Sequence, residues 1–568
     1  MVGSKIQKGI VLAVMILFAG ACGAEDSMSG GWNYESSPGG DSDNSDWAGD
    51  GDGELGDGGW EGDGDGDSFI PEEEEFLVQE VAATENYVFV PNQAEGSDTV
   101  ALIDGLDLTV RPIRVGQDPS KVVAADIEDQ GSVGFVLSTG SSTVAIVRAD
   151  VSNQENRADV RLLPVPREVN QLAMAPDGRH VLAYIDPDLP INSSASAASL
   201  QTMALIRLGD APGADEVFVL SVTRLIDEIA FTPDSKLAFV VGREGFNRID
   251  LAAIKDDVFL PTINLELSDS IFSPIDQEIV FSSDGSLLVV RTSQFAGVGL
   301  FELHPDDPNI LSFRLVELSG IPTDLDLVER EGESPLVVAT IRSRDEVVLF
   351  DLEAALAAEP EDSTSFLRIL NALGSDAGIG RLTPNQEKMV VFSTLPSLPR
   401  VGLVDLESET MSTHVLRNQI RNLAISPDSR TAVIVHRPQP GNSGPDWESR
   451  FRHSHGLTLW DLTTGYLRPV VLEAEPEEIL MTTGTDGRAY LYVMLVSNQE
   501  AFQGVMRIDL TTHRSDFVRL PRRPVQLGVV GGRVFVSQDD DTGRITFFDI
   551  DTNELRTVSG YELNASIQ

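Results

Sequence analysis

The chain has 568 residues, 90 of them acidic and 41 basic, which gives a formal net charge of −49 at pH 7. Such an acidic composition argues against nucleic acid as a partner, because phosphate backbones are bound through basic side chains. The sequence contains one cysteine, so the fold can have no internal disulfide and must depend on packing, hydrogen bonds or bound ions.

Residues 1–21 have the pattern of a secretory signal. Two lysines precede an apolar run, Gly9–Ala21, which is shorter than the stretch of about 20 residues that spans a bilayer. Three small residues then lead directly to Cys22. This arrangement resembles the lipobox of bacterial lipoproteins, although the usual leucine three positions before the cysteine is Ala19 here.

The resemblance implies that Cys22 is acylated and anchors the mature chain in the membrane. The alternative is a secreted protein with an incidental cysteine. Because Gly23 rather than aspartate follows Cys22, analogy with Gram-negative sorting favours the outer membrane. Whether the rest of the chain faces the periplasm or the exterior stays open, and the acidic segment described next favours the exterior.

Residues 22–75 differ sharply from the rest of the chain. From Gly23 to Glu75 there are 18 acidic residues, no basic ones, and many glycines. Such a segment has too little apolar surface to offset the entropy of ordering, so the composition predicts a disordered tether. A flexible glycine-rich chain of this length has an r.m.s. reach of about 40 Å. We expect it to hold a globular head, residues 76–568, away from a membrane.

A five-residue strand ending recurs through the head about every 49 residues. The ten copies are VALID (Val100–Asp104), VAIVR (Val144–Arg148), MALIR (Met203–Arg207), FNRID (Phe246–Asp250), VGLFE (Val298–Glu302), VVLFD (Val347–Asp351), VGLVD (Val401–Asp405), LTLWD (Leu457–Asp461), VMRID (Val505–Asp509) and ITFFD (Ile545–Asp549). An apolar run and a turn such as APDG or SPDS precede most copies. Each unit is therefore predicted to be four antiparallel strands, and the period is typical of a β-propeller.

The SPDG-type turns and the Asp-terminated strands resemble the YVTN or YncE-like bacterial propellers, part of the broad WD40-like group. The resemblance covers residues 76–568 and implies the fold rather than an activity. Known rings usually have four to eight blades. Ten units exceed this number, so the ring is unusually large, or there are two smaller rings, or one unit is not a blade. We favour ten blades in a single large ring, with two smaller rings as the alternative, and expect Phe76–Ala83 to supply the first inner strand.

Candidate binding residues lie in loops between the second and third strands, which open on the face where propellers bind ligands. Two of these loops are long: Asp186–Gln201 and Arg437–Gly456. The second holds Trp447, Arg450, Phe451 and Arg452, which could grip an acidic or aromatic ligand.

Two metal sites are also conceivable. Three of the seven histidines, His436, His453 and His455, lie within 20 residues of each other, and an HxH pair on a strand would direct two imidazoles at one ion such as zinc. The triplet Asp539, Asp540 and Asp541 could hold calcium, although a solvated turn explains it better. No cofactor is otherwise indicated.

Three functional hypotheses remain from the sequence. The first is a lipid-anchored, non-catalytic propeller that presents loops to a protein or glycan partner in the cell envelope. The second, implied by the resemblance, is a lactonase-like hydrolase, although no catalytic set can be assigned. The third is a calcium- or zinc-dependent adhesion module. The head carries 72 acidic and 39 basic residues, a net charge of −33, which also disfavours direct contact with anionic lipid surfaces.

Overall fold

The computed structural model describes residues 82–561, apart from 93–95, 151–157, 188–200, 212, 243–244, 264–276, 304–309, 331, 359–364, 373, 375, 396–398 and 498–501. Within these residues the fold is all-β, with ten sheets that follow one another along the chain as the blades of one propeller. The sequence prediction of ten blade-like units is confirmed.

Blades 1 to 5 consist of consecutive antiparallel strands. They are β1 (Tyr87–Pro91), β2 (Thr99–Asp104) and β3 (Val110–Arg114) in blade 1; β4 (Pro119–Ile127), β5 (Gly131–Ser138), β6 (Thr143–Arg148) and β7 (Asp159–Pro164) in blade 2; β8 (Gln171–Met174), β9 (His180–Tyr184), β10 (Thr202–Arg207) and β11 (Glu216–Ser221) in blade 3; and β12 (Ile226–Phe231), β13 (Leu237–Gly242) and β14 (Gly245–Asp250) in blade 4. A two-residue strand, β15 (Val258–Phe259), follows blade 4 in the chain but pairs with blade 3. Blade 5 consists of β16 (Gln277–Phe281), β17 (Leu287–Thr292), β18 (Gly297–Leu303) and β19 (Ile310–Glu317).

Blades 6 to 10 have the same order of strands. They are β20 (Asp324–Val328), β21 (Leu336–Ile341), β22 (Glu346–Asp351) and β23 (Arg368–Asn371) in blade 6; β24 (Ile379–Leu382), β25 (Lys388–Phe392), β26 (Arg400–Asp405) and β27 (Thr410–Val415) in blade 7; β28 (Ile420–Ile425), β29 (Thr431–His436), β30 (Gly456–Asp461) and β31 (Leu467–Val471) in blade 8; β32 (Glu475–Thr483), β33 (Ala489–Val496), β34 (Gly504–Asp509) and β35 (Ser515–Arg519) in blade 9; and β36 (Pro524–Val530), β37 (Arg533–Gln538), β38 (Arg544–Asp549) and β39 (Leu555–Ser559) in blade 10. The short helices are α1 (Leu352–Ala357), α2 (Trp447–His453) and a 3-10 turn at Arg342–Arg344.

Blades 1, 3 and 4 depart from the four-stranded plan. In blade 1, Ala83 forms an antiparallel bridge with Val88, where an innermost strand would pair. Of the predicted strand Phe76–Ala83, residues 76–81 lie outside the described part of the chain. In blade 3, β15 adds a fifth strand parallel to β11, and in blade 4 Ile263 bridges Phe246 at the outer edge.

The core lies between blades rather than inside any one of them. In the described part of the chain, ten hydrophobic clusters each combine side chains of two neighbouring blades, from blades 1 and 2 round to blades 10 and 1. The last of these clusters includes Ile103 of blade 1 and Phe547 of blade 10. This packing closes one ring, so the alternative of two smaller rings is wrong.

The recurring aspartate at the end of the third strand has a structural explanation. In seven blades its carboxylate accepts a hydrogen bond from the backbone N–H three residues later, which fixes the turn after the third strand or, at Asp351, caps α1. These residues are Asp104, Asp250, Asp351, Asp405, Asp461, Asp509 and Asp549. The repeated motif therefore encodes a turn and not a site.

Candidate functional site

The antiparallel plan gives the ring two different faces. The turns between first and second strands and between third and fourth strands lie on one face, called here the lower face. The loops between second and third strands and the blade-to-blade connections lie on the other, the upper face. On the upper face, residues 437–455 of blade 8 form a loop that contains α2. We call this segment the blade-8 insertion.

Local sequence signals account for the helix in the insertion. Asp446 is the N-cap, and its carboxylate accepts a 2.8 Å hydrogen bond from Ser449 N. Glu448 lies in the first turn and basic side chains in the last turn, which suits the helix dipole. Phe451 is fully buried and attaches the helix to the blade.

Trp447 is held at the surface by its neighbours. Its side chain is 45% exposed, and its ring stacks on Phe451 with centroids 5.5 Å apart. The guanidinium of Arg417 lies 5.4 Å from the centroid of the same ring and pairs with Glu448 at 2.8 Å. The indole is therefore a fixed, partly exposed aromatic group, and its predicted role in ligand binding stays a prediction.

The two arginines predicted for this loop are exposed. Arg450 Nη2 lies 3.5 Å from Glu473 Oε1, an ion pair in which both side chains are more than half exposed. Arg452 follows the buried Phe451 and faces solvent. An exposed pair such as that of Arg450 contributes little to stability, and both arginine side chains are open to solvent.

The structure does not assemble the predicted zinc set. His436 is the last residue of β29 and is buried; its Nδ1 lies 3.2 Å from Gln419 O and its Nε2 2.7 Å from Thr458 Oγ1. Because the carbonyl only accepts, Nδ1–H donates and Nε2 accepts from the hydroxyl, so both ring nitrogens are used. Burial lowers the pKa of His436 to about 4.

The other two histidines differ in backbone geometry from the predicted HxH strand. His453 ends α2, and its Nδ1 lies 3.1 Å from Gln439 O. His455 follows the helix C-cap, so the strand alternation assumed for the pair does not apply. Among the described residues, no group of three or more His, Cys, Asp or Glu side chains is arranged to hold a metal ion.

His455 lies beside an ion pair at the inner edge of the upper face. Arg421 of β28 and Glu475 of β32 pair at 2.6 Å across the boundary between blades 8 and 9. Burial lowers the pKa of His455, with Glu475 opposing and Arg421 reinforcing that shift. This grouping brings together a histidine, an arginine and a carboxylate that are far apart in sequence.

The aspartate triplet of blade 10 forms a turn. Asp540 Oδ1 accepts hydrogen bonds from the backbone N–H and the hydroxyl of Thr542, and its Oδ2 lies 3.2 Å from Arg522 Nε. These bonds lower the pKa of Asp540. Asp539 and Asp541 are exposed on either side of it, so the triplet has the geometry of a solvated turn.

A group of carboxylates that sequence analysis missed lies on the first strands of blades 4, 5 and 6. Glu228, Glu278 and Asp324 occupy equivalent positions near the start of β12, β16 and β20, next to the upper face. Arg291 Nε donates to Glu278, and Gly380 N donates to Asp324 Oδ2 at 2.6 Å. We call these three residues the inner carboxylates.

Burial and neighbouring carboxylates raise the pKa values of Glu228 and Asp324. Burial, then the charges of Glu278 and Asp227, raise the pKa of Glu228 to about 8. Burial, Glu278 and Asp326 raise the pKa of Asp324 well above its usual range, and Arg291 only partly offsets this. With a pKa of about 8, Glu228 still holds its proton in most molecules at neutral pH.

Glu478 occupies the corresponding position in blade 9. Its Oε2 accepts a 2.8 Å hydrogen bond from Leu527 N of blade 10, and burial raises its pKa to about 7. The sequence contains a signal for the inner carboxylates. When the equivalent strand segments DEIAFT, QEIVFS and TDLDLV are aligned, the second position of each is an acid: Glu228, Glu278 and Asp324.

Two predictions concern other parts of the chain. Cys22 lies outside the described residues, as does most of the loop Asp186–Gln201. Within the described residues, no helix combines the length and apolar character needed to cross a membrane.

Comparison with known proteins gives similarity to solved structures only. No known protein family matches the sequence, and no curated protein is similar enough in sequence to count as a relative. The similar structures include the dihydro-heme d1 dehydrogenase NirN, with 15% identity over 71% of this chain and 75% of NirN and a TM-score of 0.37. AztD from Citrobacter koseri has 12% identity over 69% of this chain and 96% of its own, with a TM-score of 0.32.

A putative 6-phosphogluconolactonase from Bacteroides uniformis is also similar, with 14% identity over 61% of this chain and 93% of its own and a TM-score of 0.33. Similarities this low carry no argument about function. The class of the protein follows from its own strands and packing, which are those of a ten-bladed β-propeller.

Proposed function

We propose that the protein is a non-catalytic binding module of the cell envelope, anchored by a lipid on Cys22, whose blade-8 insertion contacts a protein or glycan partner. The observation that carries the proposal is the fixed, exposed Trp447 between Phe451 and Arg417. Aromatic and arginine side chains dominate the energy of binding surfaces, and an indole whose rotamer is already fixed loses little entropy when it binds.

Binding of envelope extracts to the full-length chain, with Cys22→Ser to keep it unlipidated, tests the insertion. Trp447→Ala is expected to weaken binding by about 2 kcal/mol, or roughly thirtyfold in Kd. Tyr466→Ala is the matched control, since Tyr466 is 60% exposed in the same blade but lies in the lower-face turn between β30 and β31. Equal binding by the Trp447→Ala variant and the parent chain would refute the proposal.

The same assay separates the two kinds of partner. Protease treatment of the extract should abolish binding to a protein and leave binding to a glycan intact, whereas glycosidase treatment should do the reverse. Arg450→Ala and Arg452→Ala report whether the partner is anionic, because loss of either guanidinium would then weaken binding and make it less sensitive to salt.

A lactonase-like activity is a second candidate, favoured by the grouping of His455, Arg421 and Glu475. A histidine beside a carboxylate can act as a general base, and an arginine can stabilise a developing oxyanion. The test is hydrolysis of simple sugar lactones by the full-length chain and by its His455→Ala variant. Equal rates for both, or a rate no higher than that of buffer, would exclude this candidate.

A further inference from the structure

The blade-8 insertion offers one large apolar side chain to a partner. Among the described residues with large, exposed hydrophobic side chains, Trp447 is the only one within 437–455. Phe451, the other aromatic residue, is buried, and residues 438–445 are proline, glycine, glutamine, asparagine and serine. A specific protein interface buries about 800 Å² on each partner around an apolar core. A single indole among polar residues does not supply such a core, so this surface fits a glycan better than a protein.

A cation lies beside the indole. The guanidinium of Arg417, from the connection between blades 7 and 8, is 5.4 Å from the centroid of the Trp447 ring. It pairs with Glu448 at 2.8 Å, and the two side chains of this pair are 54% and 60% exposed. Exposed ion pairs are weak, so the carboxylate of a ligand can take the place of Glu448. A planar guanidinium suits this role because it binds a carboxylate through two parallel hydrogen bonds.

The position of Arg417 relative to the insertion is fixed by the residue that follows it. Asn418 is fully buried, and its Nδ2 donates to Phe451 O at 2.8 Å and to Arg452 O at 3.3 Å. These bonds attach the connection between blades 7 and 8 to the last turn of α2. The Trp447 ring in turn stacks on Phe451. The aromatic ring and the cation are therefore arranged before any ligand binds, which lowers the entropic cost of binding.

The insertion is less acidic than the head as a whole. Residues 437–455 contain three arginines and two acids. Both carboxylates are already used, one by the cap of α2 and the other by Arg417. Arg450 is exposed one helical turn from Trp447, and Arg452 is also exposed. At 0.15 M salt, charges farther away than about 8 Å are largely screened, so an anion at this surface is affected by the nearby arginines more than by the distant acids.

We propose that the partner of the blade-8 insertion is an acidic glycan, a chain of sugars that bear carboxylate groups. The C–H face of one sugar ring packs on the electron-rich indole of Trp447, and a carboxylate of the glycan binds Arg417 in place of Glu448. This inference rests on the proposed function, in which the insertion is the binding surface, and it names the class of partner.

The affinity of the full-length chain, with Cys22→Ser, for short oligogalacturonates tests the proposal. Isothermal titration calorimetry at 0.15 M salt, where the acidic head is screened beyond about 8 Å, provides the measurement. The methyl ester of the same oligosaccharide is the uncharged probe, and an oligoglutamate of equal charge represents an acidic protein segment. The free acid is expected to bind at least about tenfold more tightly than its ester, because the ester cannot form charge-assisted bonds with the guanidinium. Oligoglutamate should bind more weakly than the free acid, since it has no sugar ring to pack on the indole.

Two variants separate the contributions of the cation and the ring. Arg417→Gln should weaken binding of the free acid at least about tenfold and leave binding of the ester unchanged, so that the two probes bind equally. Unchanged binding of the ester also verifies that the indole is still in place. Trp447→Ala should instead weaken both probes by the same factor. Arg556→Gln is the matched control: Arg556 is also 54% exposed and pairs with Glu554 at 3.2 Å, but it lies on β39 of blade 10, and its loss should change neither affinity.

Three results would overturn the acidic-glycan proposal: no binding of oligogalacturonate, equal affinities of the parent chain for the acid and its ester, or tighter binding of oligoglutamate. These results are distinct from failure of the proposed function. If Trp447→Ala still weakens binding of envelope extracts, the insertion is a binding surface for a protein or a neutral glycan. If Trp447→Ala binds the extracts as the parent chain does, the proposed function fails as well.

Discussion

Arg148 of blade 2 and Asp215 of blade 3 form a buried ion pair across the boundary between their blades. The Nη2 to Oδ1 distance is 2.5 Å, and the two side chains are 1% and 0% exposed. Gln130 Oε1 accepts from Arg148 Nε at 2.9 Å, and Arg161 Nη1 lies 3.5 Å from Asp215 Oδ2. Arginine thus replaces the usual strand-terminal aspartate in this blade because it bonds the next blade instead of its own turn.

Arg148→Met is expected to destabilise the protein by about 3 to 5 kcal/mol, because it leaves Asp215 buried without its main partner. The double variant with Asp215→Leu should recover much of that loss, since no charge then remains buried. Urea denaturation measures both. The control is Arg179→Ala, which breaks a more exposed pair with Asp129 at the same boundary and should cost less than about 1 kcal/mol.

The inner carboxylates predict a loss of stability with rising pH. The pKa of Glu228 is about 8 in the folded protein against an ordinary 4.5, so the folded state binds the proton more tightly. Its contribution is fully present below pH 4.5 and is lost as the pH rises to about 8. Glu228→Gln should therefore flatten the pH dependence of stability between pH 5 and 8.

At pH 8 the Glu228→Gln variant should be more stable than the parent by at least about 1 kcal/mol, the value of roughly one pKa unit. Denaturation midpoints at pH 5, 6, 7, 8 and 9 provide the measurement. Glu317→Gln, on the exposed face of the outer strand β19, should leave the profile unchanged. Parallel profiles for Glu228→Gln and the parent would show that Glu228 ionises normally.

His436 predicts the opposite dependence at acid pH. Its pKa is lowered from 6.5 to about 4, so the folded state favours the neutral ring and the unfolded state binds the proton first. Stability from this group is lost as the pH falls from about 6.5 to 4. His436→Gln should reduce the loss of stability over that window by at least about 1 kcal/mol. Zinc added at pH 7 should give the same melting temperature in both proteins, because Gln419 and Thr458 already bond both ring nitrogens.

The sequence predicted the parts of this structure that depend on local chemistry. The strand-terminal aspartates recur because each bonds a backbone N–H only three residues away, so Asp461 and its counterparts mark seven of the ten blades without reference to the ring. The inner carboxylates depend on the ring itself, since Glu228 and Glu278 are 50 residues apart and meet only when blades 4 and 5 pack. The predicted zinc site is not assembled for a local reason. The prediction required His453 and His455 to alternate on one strand, but His453 ends a helix that Asp446 caps, and His455 follows the C-cap of that helix.

Lipid attachment at Cys22 gives the last prediction. If the cysteine is acylated, the parent chain should incorporate a metabolically supplied alkynyl fatty acid and sediment with the envelope, because a diacylated residue anchors a protein stably where a single chain does not. Cys22→Ser should abolish labelling and release the protein into the soluble fraction, while its melting temperature stays within error of the parent, since the propeller contains no cysteine.

Ala19→Leu restores the usual lipobox residue and is the matched control, expected to preserve or increase labelling. Unlabelled parent protein that is nevertheless exported would show an ordinary secretory signal, and the tether would then leave the propeller free rather than anchored.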